Sequence, residues 1–176
     1  MLKGHIGLDS AIFPIGTPGC LLDTFARQHL WSIGKNYIHG TGRGVGAGLN
    51  VHEGPHRISP LLDAHGLLPG MVVSNEPGYY EVNNFGIRIE NLIYVIKKPE
   101  LGEFAGKEFL GFAKLTHIPL QKKLMVKELL SVEEISWINR YHEDVYQHVF
   151  ITITIINIIS NFIPLFPIII SCKYIE

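Results

Sequence analysis

The chain has 176 residues, 47% apolar and 18% charged, which suits a packed domain and excludes both a disordered polyelectrolyte and a fibrous repeat. Fifteen Lys and Arg against sixteen Asp and Glu leave a formal charge of −1, so there is no electrostatic case for nucleic-acid binding. Cys20 and Cys172 cannot make a disulfide framework and point to a reducing, cytoplasmic setting, and Met1 to Ser10 lacks the apolar run of a secretory leader.

In chain order, residues 17 to 34 predict a helix. Thr17 offers a cap, Pro18 suits the first turn, and Leu21, Leu22, Phe25, Ala26, Leu30 and Ile33 recur at helical spacing before Gly34. Residues 37 to 56 hold six glycines with His39, Arg43, His52 and His56. Without the serine and glutamine of a flexible linker, that density predicts a loop whose backbone closely approaches a ligand or another strand. Residues 70 to 75 predict a strand leading into a Pro77–Gly78 turn. Residues 86 to 96 predict another, with Ile87, Ile89 and Asn91 on one face and Arg88, Glu90 and Leu92 on the other. Residues 109 to 118 predict a third strand. Residues 131 to 148 predict a second helix, opened by a Ser131–Glu134 capping box, with Ile135, Ile138, His142, Val145 and Val149 on one face.

Glu76 and Glu90 are the chemically informative positions. A carboxylate among Ile87, Ile89, Leu92 and Ile93 needs a paired cation or a metal if it is buried, and neither if its face is solvated. His39 and His52 flank the glycine-rich stretch, close enough in sequence to share a pocket with it; a lone histidine is more often a hydrogen-bonded structural residue.

HGTGRGVGAGLNVHEGP, NEPGYYE and FGIRIEN, in this order, resemble aminopeptidase P (Xaa-Pro aminopeptidase), of the eukaryotic cytosolic type, over residues 2 to 148. The resemblance implies an α+β fold: a partial pita-bread (creatinase/aminopeptidase-like) domain of antiparallel strands with packed helices, followed by a C-terminal helical region. It implies hydrolysis of an N-terminal Xaa-Pro bond by two divalent metals, with manganese expected and proline-containing peptides as substrates. By position, Glu76 and Glu90 match two glutamate ligands. His39 and His52 match catalytic-pocket histidines, and Arg88 and Tyr80 match groups that orient the ligands. A homodimer through the C-terminal region is a further implication.

The departures are equally specific. Arg43 stands where the family's histidine ligand falls, and a guanidinium only donates hydrogen bonds. The two aspartate ligands find no match, so three of five ligands are lacking and the chain by itself is expected to be weak or inactive. The alternative is a catalytically dead partner of a full-length subunit. Arg43 is expected to pair with Glu76 or Glu90 in place of the metal.

The expected division is a partial catalytic domain over 1–106, the family's C-terminal region over 107–148 and an apolar tail over 149–176. The last 28 residues contain 11 isoleucines, and no Asp, Glu, Lys or Arg occurs from Val145 to Cys172. An apolar run of about 24 residues could span a bilayer. However, Asn157, Asn161, Pro164, Pro167 and weak basic flanks argue against a membrane partner. The composition resembles translated AT-rich noncoding sequence, so the tail is expected to be non-native or disordered.

Overall fold

The computed structural model describes residues 1–48, 50–62 and 65–159, and resolves into two units, Met1–Thr116 and His117 onward. In the first, α1 (Leu2–Asp9) packs on a five-stranded antiparallel sheet, and α2 (Gly19–Trp31) packs on α1 and on a smaller strand pair. The sheet runs β1 (Phe13–Pro14), β9 (Lys107–Lys114), β7 (Asn91–Lys97), β4 (Val72–Asn75), and β8 (Glu103–Phe104) pairs with β9. Two smaller antiparallel pairs lie outside it: β2 (Gly42–Arg43) with β3 (Arg57–Ile58), and β5 (Gly78–Glu81) with β6 (Phe85–Arg88). The fold is therefore α+β with antiparallel sheets, as expected.

The core explains the alternation along β7. Asn91, Ile93 and Val95 turn inward, while Leu92, Tyr94 and Ile96 are half-buried. Ile93 and Val95 join Leu8, Phe13, Leu22, Ala26, Ile58, Leu67, Val73 and Leu110 in one apolar cluster. Burying each such side chain contributes about 1.5–3 kcal/mol.

Several expectations need correction. Helix α1 has no clear apolar periodicity in the sequence; it exists because it can lie close against α2. A Cβ at Gly4 would come within 2.0 Å of the Ala26 carbonyl oxygen, so only glycine permits that approach. Helix α2 is capped differently: Pro18 is its N-cap, and the Thr17 hydroxyl donates to the Pro14 carbonyl instead. Its buried stripe is Leu22, Asp23, Ala26, Arg27 and Leu30, whereas Leu21, Phe25 and Ile33 are exposed. The Pro77–Gly78 pair opens a strand rather than a turn, because Gly78 pairs with Arg88. The reversal comes at residues 82–84, where Asn83 takes a left-handed φ of 59°. The strand over 86–96 is two strands separated by Ile89 and Glu90, since the Ile89 amide bonds to the Pro77 carbonyl.

In the second unit, α3 (Val132–Ile159) begins with the expected capping box. The Glu134 amide donates to the Ser131 hydroxyl and the Ser131 amide to the Glu134 carboxylate. Ile138, His142 and Val145 are buried with Trp137 and Tyr141. The Tyr141 hydroxyl donates to the Ile118 carbonyl and the Leu120 amide to His142 Nε2, fastening the preceding segment to the helix. The helix continues past 148 into the first part of the apolar tail; the rest of that expectation, residues 160–176, lies outside the described residues. No helix among the described residues is long and apolar enough to cross a membrane.

His5, on α1, sets a pH limit on the first unit. It is wholly buried, and burial pushes its pKa down to about 4. The unfolded chain therefore binds a proton that the folded chain refuses between about pH 6.5 and pH 4, so stability falls as pH falls through that window. We expect unfolding free energy from urea titration to drop by about 2 kcal/mol between neutral pH and about pH 5. That part of the slope should vanish in His5→Gln.

Candidate functional site

The site grows from the loop that follows α2. Arg27 is 1% exposed and Asp23 2%, and they meet one helical turn apart at 2.6 Å. The guanidinium also donates to the Asn36 side chain, the Tyr37 carbonyl at 2.6 Å and the His39 carbonyl at 2.7 Å, with the Tyr37 ring 3.8 Å from its centre. Asp23 in turn accepts from the Thr41 hydroxyl. Residues 36 to 41 are thus pinned through side chains and backbone to one buried ion pair.

Beyond Thr41 the chain enters β2, which passes so close to β4 that a Cβ at Gly42 would sit 1.9 Å from the Ser74 carbonyl. That approach lets the Arg43 amide donate to the Ser74 hydroxyl at 2.9 Å, while the same hydroxyl donates to Glu76 Oε1 at 2.9 Å. The Glu76 amide donates to the Thr41 carbonyl at 2.7 Å. Glu76 is 7% exposed, and its Oε2 accepts from Arg88 at 3.2 Å. Arg88 Nε donates to the Tyr80 hydroxyl at 2.8 Å, and that hydroxyl lies 3.0 Å from His39 Nε2. His39 Nδ1 faces the Gly40 carbonyl at 2.8 Å, an acceptor only, so Nδ1 carries the proton and Nε2 accepts from Tyr80. One hydrogen-bonded path therefore runs from His39 through Tyr80, Arg88, Glu76 and Ser74 to the backbone of Arg43.

Glu90 lies within electrostatic reach of this path and of His52, and among the described residues neither is hydrogen-bonded to the path. Glu90 is solvent-exposed, the solvated alternative of the sequence reading; partial desolvation and the negative charge of Glu76 still raise its pKa, and Arg88, His52 and His39 pull it back. His52 and Arg43 both line an open cavity of about 270 Å³, with Gly42, Gly44, Pro55 and Ser59. Among the described residues no ion pair joins Arg43 to either glutamate. The expected Arg43 pairing is thus corrected: Arg88 neutralises Glu76, while Arg43 meets the path through its backbone amide.

The residues fit a divalent metal on one side only. Each Glu76 oxygen accepts one hydrogen bond and retains capacity for another acceptor contact, and the repulsion between Glu76 and Glu90 is one that a cation would relieve. Arg43 cannot ligate, so the described residues do not complete a two-metal set.

The sequence reading missed the clamp behind the glutamates. Asn75 and Asn91 are register partners in β4 and β7, one preceding Glu76 and the other following Glu90. Asn75 Nδ2 donates to the His5 carbonyl at 3.0 Å and Asn91 Nδ2 lies 3.3 Å from His5 Nε2, so one α1 residue braces both strands. Ser74 and Thr41 were missed as well. The one available signal was opposite charge at i and i+4, Asp23 and Arg27, inside an otherwise apolar helix stripe.

A family model described as metallopeptidase family M24 matches residues 1–97, and one for the C-terminal region of peptidase M24 matches residues 108–154. The chain is 55% identical over 150 residues to aminopeptidase P2 of Arabidopsis thaliana, covering 85% of this chain and 21% of that protein. It is 51% identical over 148 residues to a probable Xaa-Pro aminopeptidase P of Sclerotinia sclerotiorum, covering 83% of this chain and 25% of that protein. The chain thus spans about a quarter or less of these relatives' length. Its structure matches X-prolyl aminopeptidase of Caenorhabditis elegans, a cytosolic enzyme with a di-nuclear active site, with a TM-score of 0.84 and 37% identity. That match covers 99% of this chain and 28% of the other.

The buried ion pair makes a direct prediction. Arg27→Met leaves the Asp23 carboxylate buried and uncompensated and should cost about 3–5 kcal/mol of unfolding free energy. Replacing both, Asp23→Leu with Arg27→Met, should recover a large part of that loss in thermal and denaturant unfolding.

Proposed function

The chain belongs to metallopeptidase family M24, and on that premise we propose that it carries the glutamate side of the active site of a Xaa-Pro aminopeptidase. The substrate class is peptides with proline at the second position, and the setting is the cytoplasm. The observation that carries the reading is the path His39–Tyr80–Arg88–Glu76–Ser74, which ends on the amide of Arg43, a residue that lines a cavity with His52.

Glu76 and Glu90 would hold the metal, and their hard oxygen donors suit manganese. When bound, divalent ions lower the pKa of a water and polarise the scissile carbonyl. The protein's own residues do the rest. Arg88 and Ser74 each occupy one acceptor position of Glu76 and fix the plane of its carboxylate. Tyr80 holds His39 with Nε2 as acceptor, which suits it to receive a donor from the peptide if Tyr80 yields. His52 lines the cavity where the substrate chain would lie.

Arg43 favours a second reading for the chain by itself. A fixed positive charge at the position of a ligand leaves this sequence weak or inactive, and its role is then to pair with a complete subunit, as a homodimer partner would through the C-terminal region.

A graft separates these readings. Residues 1–148 replace the matching segment of a full-length Xaa-Pro aminopeptidase, and metal content and Xaa-Pro hydrolysis are measured. With Arg43→His the chimera should bind metal and turn over, and Glu76→Gln should abolish both. With Arg43 retained, kcat should fall by about a hundredfold or more, together with metal content. A folded but inactive Arg43→His chimera would sink the proposed function, and full activity with Arg43 would sink the second reading.

A further inference from the structure

The second unit contains a cluster of metal-binding side chains that the M24 reading does not use. His117 lies in the segment before α3, and Asp144 and His148 lie one turn apart on α3. His117 Nε2 is 3.5 Å from Asp144 Oδ2, and His148 Nδ1 is 3.3 Å from Asp144 Oδ1. One donor atom from each of the three residues falls within 4.8 Å of the others.

We propose that His117, Asp144 and His148 form a binding site for a borderline divalent cation, zinc in particular, separate from the glutamates of the first unit. Two imidazoles and one carboxylate make a three-ligand set of the kind that binds zinc and leaves a fourth position for water. Metal–ligand bonds of about 2.0–2.1 Å in a tetrahedral shell put neighbouring donors roughly 3.3 Å apart. The two imidazoles approach different oxygens of Asp144, at 3.5 and 3.3 Å, so binding draws one donor from each residue together from within 4.8 Å. The side chains are 23%, 40% and 56% exposed in the order His117, Asp144, His148, so an ion can reach them from solvent.

Helix geometry supplies part of the preorganisation. Asp144 and His148 stand at i and i+4, the spacing that puts two ligands on one helix face. The imidazoles of His117 and His148 are stacked, 17° from parallel with centroids 3.9 Å apart. Rings so stacked do not aim their in-plane lone pairs at one point, so binding turns the more exposed ring, His148, about its side-chain bonds. Its Nδ1 then gives up its 2.8 Å contact with the Asp144 carbonyl oxygen. The cluster draws on no residue of the Glu76 site, so it stands or falls independently of the proposed function.

The test is calorimetric titration of zinc into the full chain, with cobalt absorption as the readout of coordination. Glu76→Gln/Glu90→Gln should keep one equivalent of zinc, with four-coordinate cobalt bands, at the affinity this site shows in wild type, whatever zinc wild type also takes at the glutamates. His117→Ala and His148→Ala should each weaken binding by about tenfold or more. His148 is exposed on a helix and alanine favours helix, so circular dichroism should show that variant folded. No zinc binding by wild type, unchanged binding in the histidine variants, or loss of binding only in the glutamate variant would each overturn the proposal.

Discussion

The guanidinium of Arg27 is almost wholly removed from water, and each of its nitrogens has an acceptor inside the protein. A buried cation of this kind adds little net stability compared with an apolar replacement of the pair, but it is intolerant of misplacement. Its acceptors are a helix carboxylate, an asparagine and two loop carbonyls, which can satisfy it only in one arrangement. The loop from Asn36 to Thr41 takes its shape from that requirement, and the positions of His39 and of Glu76, whose amide bonds to Thr41, follow from the loop.

Two supports therefore converge on the segments that carry the glutamates. The Arg27–Asp23 pair acts through the loop and Thr41, and His5 acts through Asn75 and Asn91. Both originate on helices that also contribute to the apolar cluster, α1 through Leu8 and α2 through Leu22 and Ala26. The charge of Glu76 raises the Glu90 pKa, so the backing keeps two carboxylates within electrostatic reach of each other.

What was legible in the sequence followed the strength of local signals. The capping box of α3 and the strand over 72–75 came through because each depends on a few neighbouring residues. The inward face of α2 did not, because apolarity alone would bury Leu21 and Phe25 and expose Asp23 and Arg27; tertiary pairing reverses that choice. Helix α1 was invisible because its two glycines lower helix propensity, and their value lies in contacts with another segment. At the site, the motif wording located Glu76, Glu90, His39, His52, Arg88 and Tyr80, but not their connections. Pairing Arg43 with a glutamate was a reasonable charge argument that failed because Arg88, on a paired strand, reaches Glu76 first.

Because Asn75 and Asn91 face each other across β4 and β7, the distance between the two carboxylates is set by strand register and not by the chain that joins them. Residues 77 to 89 leave and return to fixed points, forming their own two-stranded excursion. That excursion is free to change at its tip, residues 82–84, while its base keeps Tyr80 and Arg88 against Glu76. A slip of one residue in the β4–β7 pairing, by contrast, would turn one acid away from the other while altering no side chain. Variation in this fold can thus accumulate at the hairpin's tip, and the sheet behind it keeps the gauge.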